Sequence, residues 1–538
     1  MGKWFKTGTP WIWLTAGAVS LSLLAVLGLL LLIGWKGLSF FWPAPVYQFN
    51  IEQNGHHSTV IGEIYERQSV PIRQLTEADI DTSGFSGDSV VRYVIKSGNR
   101  ELLGSDFVTV LDPYIISQAP AAGVAVIDRL KNGRFYGFPV KLIDDGLPIP
   151  LSNLADHLTH TQAIREQIRT LEQNELSVLN RQFKQLRRQV ERDNGEAEST
   201  VAEHTSLEQQ FTTLEQKIVQ LRQQIAHDAL VIRVMTGQEI TLPLDQVLDL
   251  WYPNELGTWG KLSHWLHQLG KFVSEAPREA NTEGGVFPAI FGTVLMVLLM
   301  SVIVTPLGVM AAVYLHEYAG KNMFTKLIRI AVINLAGVPS IVYGVFGLGF
   351  FVYMVGAQID DLFFSTQLPA PTFGTPGILW SALTLAILTL PVVIVSTEEG
   401  LARIPHSIRH GSLALGATQA ETLWRIVLPM ASPAIMTGLI LAVARAAGEV
   451  APLMLVGAVK IAPSLPLDTH FPYLHLDRKF MHLGYHIYDV GFQSPNVEAA
   501  RPLVYATSFL LVTVIVGLNL TAIGIRNHLR EKFRSLEQ

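Results

Sequence analysis

Six stretches of this sequence are too long and too apolar for an ordinary soluble core. They run at 11–33, 287–315, 327–356, 377–397, 431–458 and 502–525. A helix of about 20 predominantly apolar residues crosses the hydrocarbon layer, and a backbone inside lipid must satisfy its own hydrogen bonds. The pattern therefore predicts a mainly α-helical polytopic membrane protein with one N-terminal span and five more in the second half. The first run exceeds the roughly 7–15 residues of a signal-peptide core, and no clear A-x-A site follows it, so it reads as an uncleaved span. Charged residues make up 16% of the chain, against about 25% in soluble domains. That balance excludes a disordered chain, a basic nucleic-acid binder and an ordinary cytosolic enzyme. The absence of cysteine excludes disulfide scaffolds, thiolate metal sites and cysteine nucleophiles.

Orientation follows from Lys and Arg near the span ends. Lys3 and Lys6 precede the first span. Lys321, Lys326 and Arg329 lie between the second and third, and Arg403, Arg409 and Arg425 between the fourth and fifth. Arg526, Arg530, Lys532 and Arg534 follow the sixth. Six spans place all four basic segments on one side, so both termini are expected to be cytoplasmic. Lys36, Lys460, Arg478, Lys479 and Arg501 run against this rule.

This topology exports residues 36–285, which show two textures. Short β-like runs occupy 90–99, 107–112, 122–130, 136–144 and 230–242, the last a hairpin turning at Gly237. Between them, 159–228 carries apolar residues at Leu179, Phe183, Leu186 and Val190, then at Leu207, Phe211, Leu214, Ile218, Leu221 and Ile225. The alternating spacing of 4 and 3 is a heptad seam, and Asp193-Asn194-Gly195 between the two sets is a turn signal. An antiparallel coiled-coil hairpin is expected, each arm about 50 Å long. Its seam buries itself, which makes the arm a spacer separable from the membrane core; a docking arm for a partner is the sharper alternative. Leu262, Trp265, Leu266, Leu269, Phe272 and Val273 then predict an interfacial helix before the second span.

Chemistry-bearing residues are few. No P-loop exists: Gly260-Lys261, Gly270-Lys271 and Gly320-Lys321 all lack its flanking residues. The chain is not expected to hydrolyse ATP. His482 and His486 stand at i,i+4 near His470 and His475, a spacing zinc can use, but solvated loop histidines are the simpler reading; no metal and no cofactor are expected. Arg445 and Glu449 are placed mid-span in VARAAGEVAPL. A central Arg costs roughly 2.5–3.5 kcal/mol on insertion scales, and one helical turn lets the pair share a face. Such charges belong to a bundle interior or a substrate path, or else lock the bundle as a structural pair. Asn334 and Ser340, in a run with Gly337, Pro339, Gly344, Gly347 and Gly349, are weaker path candidates, since small residues there also serve close helix packing.

The loop after the fourth span resembles the coupling loop of ABC importer permeases. Gly416, Ile426, Leu428 and Pro429 match that motif in register, while His410, Gly411 and Ser412 stand where EAA is usual. The strings NLAGVPSIVYGVFGLGFF (334–351), STEEGLARIP (396–405) and VARAAGEVAPLML (443–455) resemble the phosphate-specific transport permeases of PstA type, collinearly over 284–538. The resemblance implies a type I, MetI-like permease core at 286–525 with a coupling loop at 398–430. It leaves a cytoplasmic N-terminus at 1–10, a first span at 11–35, an enlarged α/β periplasmic domain at 36–285 and a cytoplasmic tail at 526–538, all in a bacterial inner membrane. It further implies a PstC-type permease partner, a PstB-type ATPase dimer and a periplasmic phosphate-binding protein. Arg445, Glu449, Asn334 and Ser340 would line the path, with Ser412, Gly416, Ile426, Leu428 and Pro429 at the ATPase contact. A permease for phosphonate, sulfate or molybdate, or a membrane sensor or adaptor, remains as an alternative; the lack of a cytoplasmic output domain counts against the sensor.

Overall fold

Helices long and apolar enough to cross a membrane number six among the described residues of this computed structural model. They are Trp11–Ser39, Phe287–Tyr318, Ser340–Phe363, Ile378–Ala402, Gln419–Gly448 and Ala500–Glu531. The structure describes residues 9–533 except 54, 78–84, 86, 177, 181, 184–185, 187–197, 279–280, 282, 321, 366–369, 470 and 495–496. One compact unit comprises Met1–Phe41 with Gln268–Gln538, the other Trp42–His267. The second is narrower than the exported segment expected at 36–285. Residues beyond 267 join the spans because Phe272 packs with Val286, Ala289, Met481 and Leu483 in a buried cluster.

Two span boundaries differ from the expected ones, each for a backbone reason. The run expected at 327–356 divides. Met323–Leu335 is a separate amphipathic helix, and the third span begins only at Ser340. Pro339 disfavours helical geometry in the residue before it, so the chain must leave the helix there. The run expected at 431–458 ends early, at Gly448, and a short helix, Ala451–Val456, follows. A proline ring clashes with the carbonyl four residues back; for Pro452 that carbonyl belongs to Gly448. The same helix starts earlier than expected because Thr418 and Glu421 form a capping box.

The fourth span is the centre of the membrane unit. Two-thirds of its most apolar window is buried, against none for the first and sixth spans. Lipid tails are as apolar as leucine, so helix association there depends on close packing rather than transfer from water. Glycines allow that approach. A Cβ at Gly308 would lie 2.6 Å from Val393 Cγ1, and one at Gly438 would lie 2.7 Å from Ser396 Cβ. The first span packs on the sixth near its end, where a Cβ at Gly37 would meet the Ala506 backbone at 2.8 Å.

The unit at 42–267 contains two antiparallel sheets. Strands β1 (Val46–Gln53), β2 (His56–Pro71), β3 (Ser89–Lys96), β4 (Phe107–Leu111) and β5 (Ile115–Pro120) form the first, in the order β4-β3-β2-β1-β5. The second contains β6 (Ala125–Arg129), β7 (Phe135–Asp144), β8 (Leu147–Ile149), β9 (Ala229–Arg233), β10 (Glu239–Pro243) and β11 (Val247–Trp251), in the order β10-β9-β7-β6-β11 with β8 beside β7. The expected hairpin is β9–β10, with Gly237 at φ 82°. β7 and β8 are joined by Asp145-Gly146, both at positive φ, the signature of a tight hairpin turn.

Between β8 and β9 the chain forms helices Leu154–Thr170 and Glu198–Ala226. Leu179, Leu186, Leu207, Leu214, Ile218 and Ile225 share one buried cluster with Ile164 and Ile168, and Arg222 reaches Glu172 at 2.6 Å. The expected turn at 193–195 and the seam residue at 190 lie outside the described residues. The base of the arm is not separable. Leu154 belongs to the core of the second sheet, Gln162 donates to the Leu248 carbonyl and Arg165 to that of Val247, each at 2.9 Å.

The arm should therefore tolerate truncation only beyond its base. Replacing 173–221 with a four-residue Gly/Ser link should leave the thermal unfolding of the purified full chain unchanged within a few degrees. Leu154→Ala should destabilise it by about 2–5 kcal/mol, the cost of a core cavity. A truncated chain degraded in cells would show that the distal arm supports the fold.

Candidate functional site

The third and fifth spans are interrupted beside one another. Chain breaks at 336–339 and 449–450 flank helices Ser340–Phe346 and Ala451–Val456. These two helices touch: a Cβ at Gly344 would lie 2.7 Å from Pro452 Cα. Breaking a helix in lipid frees carbonyls that need donors. Here the Leu335 carbonyl accepts from the Val338 amide at 3.2 Å and from the hydroxyl of the buried Tyr343 at 2.7 Å.

Arg445 lies in the last turn of the fifth span and Glu449 is its C-cap, with extended backbone at φ −78°, ψ 130°. The pair is thus at a helix end, not mid-helix as expected. The side chains still meet, Nε to Oε1 at 3.7 Å, and are 32% and 21% exposed. Arg445 is also within electrostatic reach of Tyr343. A cation in the last turn opposes the negative end of the helix dipole, and its partial exposure leaves its charge available to an anion. Ser340 is half-buried in the first turn of its helix. Asn334 is exposed on the preceding helix, where its carbonyl accepts from Gly337. The described contacts bring Tyr343, Arg445 and Glu449 together; they do not join Asn334 to this group.

The second candidate region is a helical loop at the basic end. Helix His406–Ala414 turns through Gly416, at φ 91°, into Gln419–Thr422 and the fifth span. Nothing lies within 4 Å of a Cβ at Gly416, and Leu415 beside it is 92% exposed. Ser412 is not a surface contact as its place in the motif implied. It is buried, and its hydroxyl bonds Thr422 at 2.8 Å, closing the turn. Pro429 has no N–H for the Arg425 carbonyl, and the helix widens at Leu423–Val427 just before it. Ile426, Leu428 and Pro429 are half-buried, whereas Trp424 is 71% exposed.

Sequence reading missed what anchors this loop. Arg409 pairs with Glu317, at the end of the second span, at 3.0 Å, and donates to the Leu401 carbonyl at 2.8 Å. Arg329 pairs with Glu398 at 3.3 Å. The available signal was an acidic residue at the close of an otherwise apolar run. Nearby, a cavity of about 570 Å³ is lined by Arg403, Arg526 and Arg530 among others; Arg445 is not part of it.

Residues 304–535 match the family described as binding-protein-dependent transport system inner membrane component. A phosphate transport system permease protein PstA 1 from Mycobacterium tuberculosis (strain CDC 1551 / Oshkosh) is 33% identical over 49% of this chain and 75% of its own length. PstA from Yersinia pestis is 33% identical over 47% of this chain and 76% of its own length. The chain belongs to the PstA family of transport permeases. A probable ABC transporter permease, YqgH of Bacillus subtilis (strain 168), is 34% identical over 36% of this chain; the match spans 59% of that relative. All these matches cover about half of this chain or less.

This PstA-family chain is a multi-pass membrane protein, and its last interspan loop differs from expectation. His482 and His486, read as solvated, are buried at 0% and 2% exposure. His482 Nδ1 accepts from the Gly484 amide at 3.1 Å. No described residue bonds its Nε2 or either nitrogen of His486. Buried Asp489 pairs with Lys460 at 3.2 Å and accepts from Asn281 at 2.9 Å. Arg478 pairs with Asp468 at 2.9 Å. Two of the basic residues that opposed the orientation rule are thus held in ion pairs.

Burial holds His482 at a pKa of about 3. His486 is held at about 4, mainly by burial, which outweighs the attraction of Asp489. The ordinary value is 6.5. The unfolded chain therefore takes up protons below pH 6.5 while the folded chain does not, and stability falls as pH drops from about 6.5 toward 4. The stability contribution is fully present above 6.5. Thermal unfolding of the purified chain should show this loss, and His486→Gln should flatten the profile over that window. A variant profile that coincides with the parent's would mean His486 already titrates normally in the folded chain.

Proposed function

We propose that this chain is the permease subunit of an ATP-driven phosphate importer, and that it forms half of the translocation path. Family membership carries this reading, and the partly exposed, paired Arg445 at a helix break gives it a physical basis. Phosphate near neutral pH carries one or two negative charges. A bare Arg would be costly to desolvate and would hold the ion too firmly for it to leave. Glu449 offsets both effects. The chain has no nucleotide-binding motif, so it is non-catalytic; hydrolysis belongs to a PstB-type ATPase pair, with a PstC-type permease completing the pore and a periplasmic phosphate-binding protein delivering the ion. The basic segments support a cytoplasmic setting for both termini and for the loop around Gly416, where the ATPases would dock.

Phosphate uptake by cells lacking this chain, with and without the restored gene, is the direct test; sulfate, molybdate and phosphonate serve as competitors. Stronger competition by another oxyanion than by unlabelled phosphate would reassign the substrate. Arg445→Gln should lower uptake roughly 10- to 100-fold at normal assembly, as for a lost hydrogen bond to a charged group. The double variant Arg445→Gln/Glu449→Gln decides the role. Recovery of transport in it would make the pair a structural lock; continued inactivity fits an Arg that serves the anion.

The loop is tested separately. Gly416→Trp places a large side chain at positive φ on the proposed docking face, and should uncouple ATP hydrolysis from uptake while the subunit stays in the membrane. Normal uptake in that variant would remove the coupling role. The chain has no cysteine, so a Leu415→Cys variant reports orientation directly. An impermeant maleimide should label it only from the cytoplasmic side.

A further inference from the structure

Three side chains distant in sequence meet at the foot of the helical arm. Asp144 ends β7, His157 lies in the first turn of Leu154–Thr170, and Asp228 immediately precedes β9. One ligating atom from each lies within 4.8 Å of the other two. His157 Nδ1 and Asp228 Oδ2 are 3.8 Å apart.

The backbone forces the two carboxylates together. The antiparallel β7–β9 ladder pairs Ile143 with Ala229, so its next rung sets Asp144 opposite Asp228. Like charges directly opposite in such a ladder repel. The Asp145-Gly146 turn sets the backbone at the end of β7. Asp228 is only 6% exposed, while Asp144 and His157 are half-buried. A cation held between the two carboxylates would relieve their repulsion.

We propose that Asp144, His157 and Asp228 bind a divalent transition-metal ion of the zinc class. One imidazole nitrogen and two carboxylate oxygens are a zinc donor set, with ligand distances of about 2.0–2.2 Å. Atoms so bound lie about 3.3 Å apart in a tetrahedron, so the present spacing closes onto an ion with small side-chain shifts. Calcium and magnesium prefer all-oxygen sites; the imidazole selects against them. Three protein ligands leave the fourth position to water. The ion would tie the strand end, the start of the first arm helix and the end of the second to one point, fixing the foot of the arm to its sheet.

The rival explanation is a proton shared by Asp144 and Asp228, and metal analysis separates the two. The full chain, carrying no histidine tag, is purified in detergent, stripped with a chelator and dialysed against Zn²⁺. Mass spectrometry gives its metal content, and competition with a chromophoric chelator gives affinity. We expect one tight equivalent, weakened at least about 100-fold by His157→Gln or Asp228→Asn and unchanged by His56→Gln on the exposed β1–β2 hairpin. Misfolding is controlled through Asp144→Asn. Without metal it should melt at or above the parent temperature, because a like-charge contact is removed. Zn²⁺ should raise the melting temperature of the parent but not of this variant. No saturable zinc, full binding by both ligand variants, or tighter binding of Ca²⁺ or Mg²⁺ would each overturn the proposal.

Discussion

Backbone hydrogen bonding inside the membrane governs the rest of this structure. A helix in lipid satisfies itself, and any interruption must be covered by protein. Prolines at 339 and 452 force two interruptions, and the fold meets the demand by setting the two against each other. Gly344 admits the Pro452 backbone, and the Val338 amide and Tyr343 hydroxyl both donate to the Leu335 carbonyl. Arg445 and Glu449 then occupy the broken end of the fifth span. The charge pair is therefore a consequence of the break as much as an addition to it. A continuous helix would carry both side chains on a regular face; here Glu449 lies outside the helix, and the Arg445 side chain stays partly open.

The membrane part was largely legible because its signals are local. Length and apolarity gave six spans, and the register of Gly416, Ile426, Leu428 and Pro429 marked the loop. The errors came where one residue overrules a run of twenty. Hydropathy reads straight through 327–356 and 431–458, yet Pro339 and Pro452 decide where those helices stop. Both prolines are visible in the sequence, but the apolar runs continue through them. Ser412 failed differently. Its motif position suggested exposure, while the hydroxyl of Thr422, ten residues on, buries it.

Non-local features were not legible at all. His482 and His486 sit in a polar, aromatic loop that reads as solvated. Yet they flank Leu483 and follow Met481, which pack with Val286 and Ala289 in a buried cluster. The trio of Asp144, His157 and Asp228 is separated by the whole helical arm, so no spacing rule could have grouped it. Only the β7–β9 register shows that the arm begins and ends beside one strand end. The long strand β2 was missed for a similar reason: charged and polar residues interrupt its alternation, and its pairing with both β1 and β3 supplies what propensity does not.

The loop around Gly416 combines a rigid base with an open tip. Arg409 binds the end of the second span through Glu317 and the fourth span through the Leu401 carbonyl. Arg329 joins Glu398, on that fourth span, to the amphipathic helix before the third. The Ser412–Thr422 bond and the Thr418 capping box hold the turn from within. Leu415 and Trp424 stay open at the tip. The fifth span starts at the capped loop and stops before the Pro452 break, with Arg445 in its last turn. The two prominent features of the membrane unit are the ends of a single helix.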